Sequence, residues 1–159
     1  MPGSGKTTLG RDLACHLMVD FIDLDAEIEK AEGRSISEMF REEGELYFRL
    51  LEARLLRGWA ASTVPFVMAT GGGAPCFHRG IETINEYGIS IFLDFPVPVL
   101  IERVRKNQER PLLFASDEKE LVVKLERMRK ERLGCYRKAK IVLENPTLES
   151  ILETIHAKK

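Results

Sequence analysis

No run of these 159 residues is apolar enough to cross a bilayer, and no secretory leader opens the sequence. A membrane-spanning role and an exported, disulfide-stapled scaffold are thereby set aside. Cysteine is scarce: Cys15, Cys76 and Cys135 are odd in number, far apart, and share no metal-ligand spacing. That pattern reads as reduced thiols in a cytoplasmic protein. An excess of one charge is also lacking. With 24 Lys and Arg against 25 Asp and Glu, the formal net charge is −1, and no overall field gathers nucleic acid. Internal repeats and low-complexity segments are absent too. What is present, 44% hydrophobic and 31% charged residues, suits a single globular domain spanning 1–159. The high charged fraction fits anionic ligands held by arginines and balanced by surface carboxylates.

The most informative stretch is Met1-Pro2-Gly3-Ser4-Gly5-Lys6-Thr7-Thr8. It carries the end of the phosphate-loop pattern G-x-x-x-x-G-K-[ST], with Gly5, Lys6 and Thr7 in its last three places. The opening glycine would fall one residue before Met1. In such a loop consecutive backbone N–H groups form a concave nest for phosphate, and the following helix adds the positive end of its dipole. Gly3 and Gly5 let the main chain approach the anion, while Ser4 and Thr8 belong to the same cradle. Lys6 is placed to reach the β- and γ-phosphates, and the Thr7 hydroxyl to serve Mg²⁺. Leu9, Leu13 and Leu17 then recur at helical spacing, so a helix begins where a phosphate loop requires one. The buried strand that normally precedes such a loop has no counterpart in these residues.

Beyond the loop, strand and helix alternate, which predicts a parallel sheet covered by helices. Strands are predicted at 21–24, 65–70, 89–94 and 141–143. Helices are predicted at 25–32, from the Ser35/Glu38 capping box through Phe40, at 45–61, 97–106, from the end of a polar segment to about Lys138, and at 148–156. Leu46, Leu50, Leu51, Leu55 and Trp59 are read as the buried stripe of the 45–61 helix.

Asp23 and Asp25 end the first strand, and strand alternation puts them on one face. Ligands of α/β sheets bind beyond the carboxyl ends of strands, so this pair suits Mg²⁺ held through water and a substrate hydroxyl. A helix cap and a solvated strand end describe the two residues equally simply. Gly71-Gly72-Gly73 follows a buried strand and reads as a second backbone nest, or as a flexible turn. Arg49 can grip a small carboxylate with its fork, or pair with Glu45 or Glu52 on the surface. Arg110, in the polar segment 107–118, suits a lid that closes over ATP and excludes water. The basic residues from Lys124 to Lys140 read mainly as a solvated face. With no aromatic platform beside them they give no nucleic-acid site.

Taken in order, Pro-Gly-Ser-Gly-Lys-Thr-Thr, Phe-Ile-Asp-Leu-Asp, Gly-Arg-Ser-Ile-Ser-Glu-Met-Phe, Gly-Glu-Leu-Tyr-Phe-Arg, Thr-Gly-Gly-Gly-Ala and Arg-Pro-Leu-Leu resemble the shikimate kinase family over almost the whole chain. The resemblance implies a three-layer α/β/α P-loop kinase with a parallel sheet and a substrate-binding helical region at about 25–62. It implies a cytoplasmic, monomeric enzyme that phosphorylates the shikimate 3-hydroxyl with ATP and Mg²⁺, without nucleic-acid or membrane partners, on the route to chorismate. Carried onto this sequence, Lys6 and Thr7 serve phosphates and metal, Asp23 supports the metal through water, and Asp25 holds the substrate hydroxyls and accepts the proton. Arg49 and Arg132 grip the carboxylate, Phe40 and Phe48 line the pocket, and Gly71, Gly72 and Gly73 contact substrate and γ-phosphate. Arg103 lies against adenine and Arg110 is the lid arginine.

Two departures stand out. The family's Arg-Ala-Pro-x-Tyr is here Arg132-Leu133-Gly134-Cys135-Tyr136, which could change where that helix ends. The strand missing before the loop is central in the family's five-stranded sheet, so apolar helix faces and unpaired ladder groups are expected. A gluconate-type kinase and a non-catalytic ATP-binding relic are the competing readings.

Overall fold

In a computed structural model, the structure describes residues 1–106 and 118–157. The elements in chain order are α1 (Lys6–Leu17), β1 (Asp20–Asp23), α2 (Leu24–Glu32), α3 (Ile36–Glu42), α4 (Gly44–Ala60), β2 (Phe66–Ala69), a 3₁₀ turn (Ala74–Cys76), α5 (Gly80–Tyr87), β3 (Ile91–Asp94), α6 (Val97–Lys106), α7 (Glu118–Tyr136), β4 (Ile141–Glu144) and α8 (Leu148–His156). Helix starts follow local chemistry. Gly5, at φ 75°, turns the chain into α1. The Asp23 side chain caps α2 by accepting from the Asp25 N–H. Ser35 and Glu38 form the expected reciprocal capping box on α3.

The sheet comes in two halves. β1 pairs with β2 in parallel, Asp20 opposite Phe66 through Asp23 opposite Ala69. β3 pairs with β4 in parallel, Ile91 opposite Ile141 through Asp94 opposite Glu144. Between β2 and β3 lies a largely apolar cleft of about 560 Å³, lined among others by Leu13, Val67, Ile91, Phe92, Ile151 and Ile155. A strand leading into the phosphate loop is expected at this central position. What joins the halves is a cluster around buried Leu13, Ile141, Ile151 and Ile155, against which Val67 of β2 and Ile91 of β3 both pack. A second cluster unites Leu24, Ile28, Met39, Phe48, Leu51 and Leu56 under the helical region. A third gathers Met1, Phe92, Phe95, Leu100, Leu125 and Tyr136 beneath α6 and α7.

Two expectations need correction. β1 ends at Asp23, and Leu24, fully buried, already belongs to α2, so Asp25 sits in a helix rather than on a strand. Helix geometry and the cap bring the two aspartates together, where strand alternation was expected to do so. In α4 the inward face is Phe48, Arg49, Leu51, Glu52, Ala53 and Leu56. Leu46 and Leu50 are 70% and 53% exposed. The apolar pattern misled because Arg49 and Glu52 occupy inward positions, which turns Leu46 and Leu50 outward. As expected, α7 runs through Gly134 almost to Lys138, ending at Tyr136.

Leu24→Ala, which opens a cavity at a fully buried site, is expected to cost about 2–5 kcal/mol. Leu46→Ala is expected to stay within about 0.5 kcal/mol, as exposed substitutions do. Urea midpoints at unchanged m measure both, and equal losses would refute this assignment of the α4 face.

Candidate active site

The phosphate loop forms as its sequence requires. Gly3 and Gly5 both take positive φ, 74° and 75°, a region that costs residues with a Cβ. The Ser4 hydroxyl is buried and donates to the Met1 carbonyl at 2.8 Å, so it braces the loop rather than facing its mouth. In front of the loop opens a cavity of about 430 Å³, lined by Gly3, Gly5, Lys6, Thr7, Thr8, Leu9, Arg103, Val104 and Pro146. Arg103 stacks on Phe95 with its guanidinium 4.1 Å from the ring centre, which holds it at the rim of this cavity.

The Thr7 hydroxyl donates to Asp23 Oδ2 at 3.2 Å, while Asp23 Oδ1 accepts from the Asp25 N–H at 3.1 Å. The two residues expected at the metal are therefore adjacent. A hydroxyl and a carboxylate suit a hard cation that keeps several waters and takes its other ligands from phosphates. Consistently, no group of three or more His, Cys, Asp or Glu able to hold a metal alone occurs among the described residues.

A second, charged site is built around Gly71-Gly72-Gly73, which follows β2. A Cβ on Gly71 would lie 2.7 Å from Asp25 Oδ1 and 2.9 Å from Glu52 Oε1. One on Gly72 would lie 3.2 Å from Arg132 Nη1, and one on Gly73 would lie 2.7 Å from Arg49 Nη2. Two cations and two carboxylates from three helices thus close on a strip of bare backbone. Arg49 is 8% exposed. It donates to Glu45 at 3.2 Å and to Glu52 at 2.8 Å, and its guanidinium lies 5.1 Å from the Phe48 ring and 4.4 Å from that of Phe77. Phe40 and Phe48 pack together at 4.8 Å.

Three participants were not singled out from the sequence. Glu52 is almost wholly buried, and its Oε1 has no hydrogen-bond partner. Burial raises its carboxyl above the ordinary glutamate value, Arg49 opposes that, and nearby Asp25 adds to it. Its signal was the spacing Arg49-x-x-Glu52, which puts both on one helical face. Tyr136 donates to the Gly72 carbonyl at 2.6 Å. Its hydroxyl is pushed up to about 12, chiefly by burial, with Arg132 acting the other way. Phe77 sits just past the 3₁₀ turn, and nothing in its sequence context marks it. Arg110 and the lid expected at 107–118 lie outside the described residues, apart from Glu118, which opens α7.

Phosphate loop, parallel α/β layers and an adjoining charged pocket define a P-loop α/β kinase. The family model for shikimate kinase matches residues 2–158. A shikimate kinase of Clostridium botulinum is 40% identical over 98% of this chain and 89% of its own length. One of Bacteroides fragilis is 40% identical over 88% and 78%. The crystal structure of shikimate kinase from Bacteroides thetaiotaomicron superposes with a TM-score of 0.90 at 35% identity, covering 98% of this chain and 92% of that one. The Acinetobacter baumannii enzyme in complex with shikimate gives 0.89 at 34% identity, covering 99% and 90%. The chain belongs to the shikimate kinase family.

Because the Glu52 carboxyl is raised on folding, the folded state binds more protons than the unfolded one at and just above the ordinary value of 4.5. Its contribution to stability is fully present at lower pH and is lost as pH rises through the folded value. The stability of the wild type relative to Glu52→Gln should therefore fall on raising pH upward from about 4.5. Urea unfolding across pH measures this, and a pH-independent difference would contradict it.

Proposed function

We propose that this chain transfers the γ-phosphate of ATP to the 3-hydroxyl of shikimate, giving 3-phosphoshikimate and ADP. The observation that carries the reading is the convergence of Arg49 and Arg132 on the glycine strip beside Asp25. A small polyol bearing one carboxylate fits such a pocket: charge for its anionic end, carboxylate for its hydroxyls.

In this reading Arg49 and Arg132 grip the substrate carboxylate from either side of Gly71–Gly73, and Phe48 beneath Arg49 keeps water from the fork. Glu52, braced against Arg49, fixes the guanidinium in the plane that bidentate binding needs. Asp25 accepts hydrogen bonds from the substrate hydroxyls and takes the proton of the attacking one as the new P–O bond forms. The missing side chain at Gly71 lets the acceptor oxygen come close to that carboxylate. On the donor side, the loop N–H groups, the start of α1 and Lys6 hold the phosphates, with Arg103 and Phe95 at the nucleotide's far end. Thr7 and Asp23 would hold Mg²⁺, the latter through water. Held there, the ion would offset the negative charge that grows on the transferred phosphate. Arg110 is assigned the lid position from its sequence motif, Arg-Pro-Leu-Leu.

A gluconate-type acceptor also carries a carboxylate, but it is open-chain. The paired Phe40 and Phe48 rings, and the Phe77 ring beside Arg49, are read as favouring a cyclic acceptor.

Asp25→Asn should leave ATP binding intact and lower kcat by about a hundredfold or more, the range of a lost general base. Arg49→Ala removes charge-assisted bonds worth about 1.5–3 kcal/mol each, so the shikimate KM should rise about ten- to hundredfold. Normal turnover of the first variant would remove Asp25 from its role, and an unchanged KM in the second would remove Arg49.

A further inference from the structure

Just past the glycine strip the chain bends tightly and carries an aromatic ring back to Arg49. The Ala74 N–H donates to the Gly71 carbonyl at 3.2 Å and the Cys76 N–H to that of Gly73 at 2.8 Å, so the 3₁₀ turn grows directly out of the strip. Phe77 is extended, and then His78 and Arg79 both take positive φ, 48° and 62°. Two successive residues with a Cβ in the left-handed region are strained, and the surroundings must hold them there. Three contacts do so. The Gly80 N–H donates to the Phe77 carbonyl at 2.8 Å, and Arg57 of α4 donates to the His78 carbonyl at 2.9 Å. Gly80 packs so closely on the 3₁₀ turn that a Cβ there would overlap the Ala74 carbonyl.

The product of this strained turn is the position of Phe77. The residue is 37% exposed and, among the described residues, joins none of the three apolar clusters, so burial alone does not place its ring. The ring lies 4.4 Å from the Arg49 guanidinium, and that of Phe48 lies 5.1 Å from it. Glu45 holds Arg49 Nε and Glu52 holds Nη1. Nη2, which makes neither bond, lies 2.7 Å from where a Cβ on Gly73 would stand. The part of the fork outside the two ion pairs therefore borders the glycine strip.

We propose that Phe77 is a positioning residue of the acceptor site: held by the His78-Arg79 turn and the Arg57 clamp, its ring fixes the Arg49 guanidinium and so sets the affinity for a substrate carboxylate. The effect on affinity rests on the assignment of Arg49 to the acceptor. The placement of the ring does not.

The physical reason is ordering before binding. A guanidinium is attracted to the face of an aromatic ring. One that is already ordered loses less freedom when a carboxylate docks. Removing the ring therefore weakens substrate binding and leaves phosphoryl transfer from the bound state nearly unchanged. Arg57 lies about two helical turns from Arg49, so α4 carries both the cation and the clamp that sets the ring beside it.

The test uses the full chain with Phe77→Leu, Phe77→Tyr, Arg57→Gln and the Phe77→Leu/Arg57→Gln double variant. Phe77→Leu should raise the shikimate KM about three- to tenfold, the range of a partly exposed cation–π contact, with kcat and the ATP KM unchanged. Phe77→Tyr, which keeps the ring, should restore the wild-type KM. Arg57→Gln should raise the KM in the wild-type background and add nothing to Phe77→Leu, because it acts through the ring. The Arg49 Nε–H signal in a ¹⁵N NMR spectrum, identified by its loss in Arg49→Lys, reports the ring without any turnover. It should shift in Phe77→Leu and Arg57→Gln and keep its place in Phe77→Tyr. An unmoved signal in Phe77→Leu would overturn the placement of the ring. A moved signal with an unchanged shikimate KM, or a fall in kcat with both KM values altered, would overturn the positioning role. Additive effects of Arg57→Gln and Phe77→Leu would overturn the clamp. If the wild type does not turn over shikimate, the acceptor reading fails while the NMR signal still decides the placement.

Discussion

The pocket depends on three consecutive residues that have no side chain. Gly71-Gly72-Gly73 is where α2, α4 and α7 deliver Asp25, Arg49, Glu52, Arg132 and Tyr136. Any Cβ there would meet a carboxylate or a guanidinium at or inside contact distance. Charges of both signs can be buried at this point only because each has an opposite charge or a main-chain partner within reach. Arg49 illustrates this. It lies on an inward face of α4, between two glutamates and two aromatic rings, so its fork is rigid before any ligand arrives. A pre-oriented fork loses less entropy on binding a carboxylate than a free surface arginine.

The donor side has a different economy of parts. There the proposed binding would fall mostly to the main chain, through positive-φ glycines and the start of α1. The Thr7–Asp23–Asp25 chain of hydrogen bonds runs from that loop to the Asp25 main chain. In the proposed reaction it would help set the spacing of donor and acceptor sides, as phosphoryl transfer by positioning requires. Beneath it the two half-sheets are tied by the Leu13, Ile141, Ile151 and Ile155 cluster across the apolar cleft, which leaves the β2 and β3 edges facing one another.

Much of this was legible in the residues. The phosphate loop, the α3 capping box, α6 and α8 follow from local rules, and the structure agrees with them. Less legible was whatever depends on residues far apart in sequence. Periodicity put Leu46 and Leu50 inside α4, because no local rule says that an arginine and a glutamate will take the buried face. Tyr136 and Phe77 carried no pattern, since their roles arise only when α7 and the 3₁₀ turn meet the glycine strip.

The central claim, a pocket shaped for a ring bearing a carboxylate, is tested most directly by acceptor-dependent ADP release from Mg²⁺–ATP. Shikimate and gluconate would be compared on the 159-residue chain. The account predicts release that saturates with shikimate and does not rise above background with gluconate. Equal release with both, or release with gluconate alone, would contradict it.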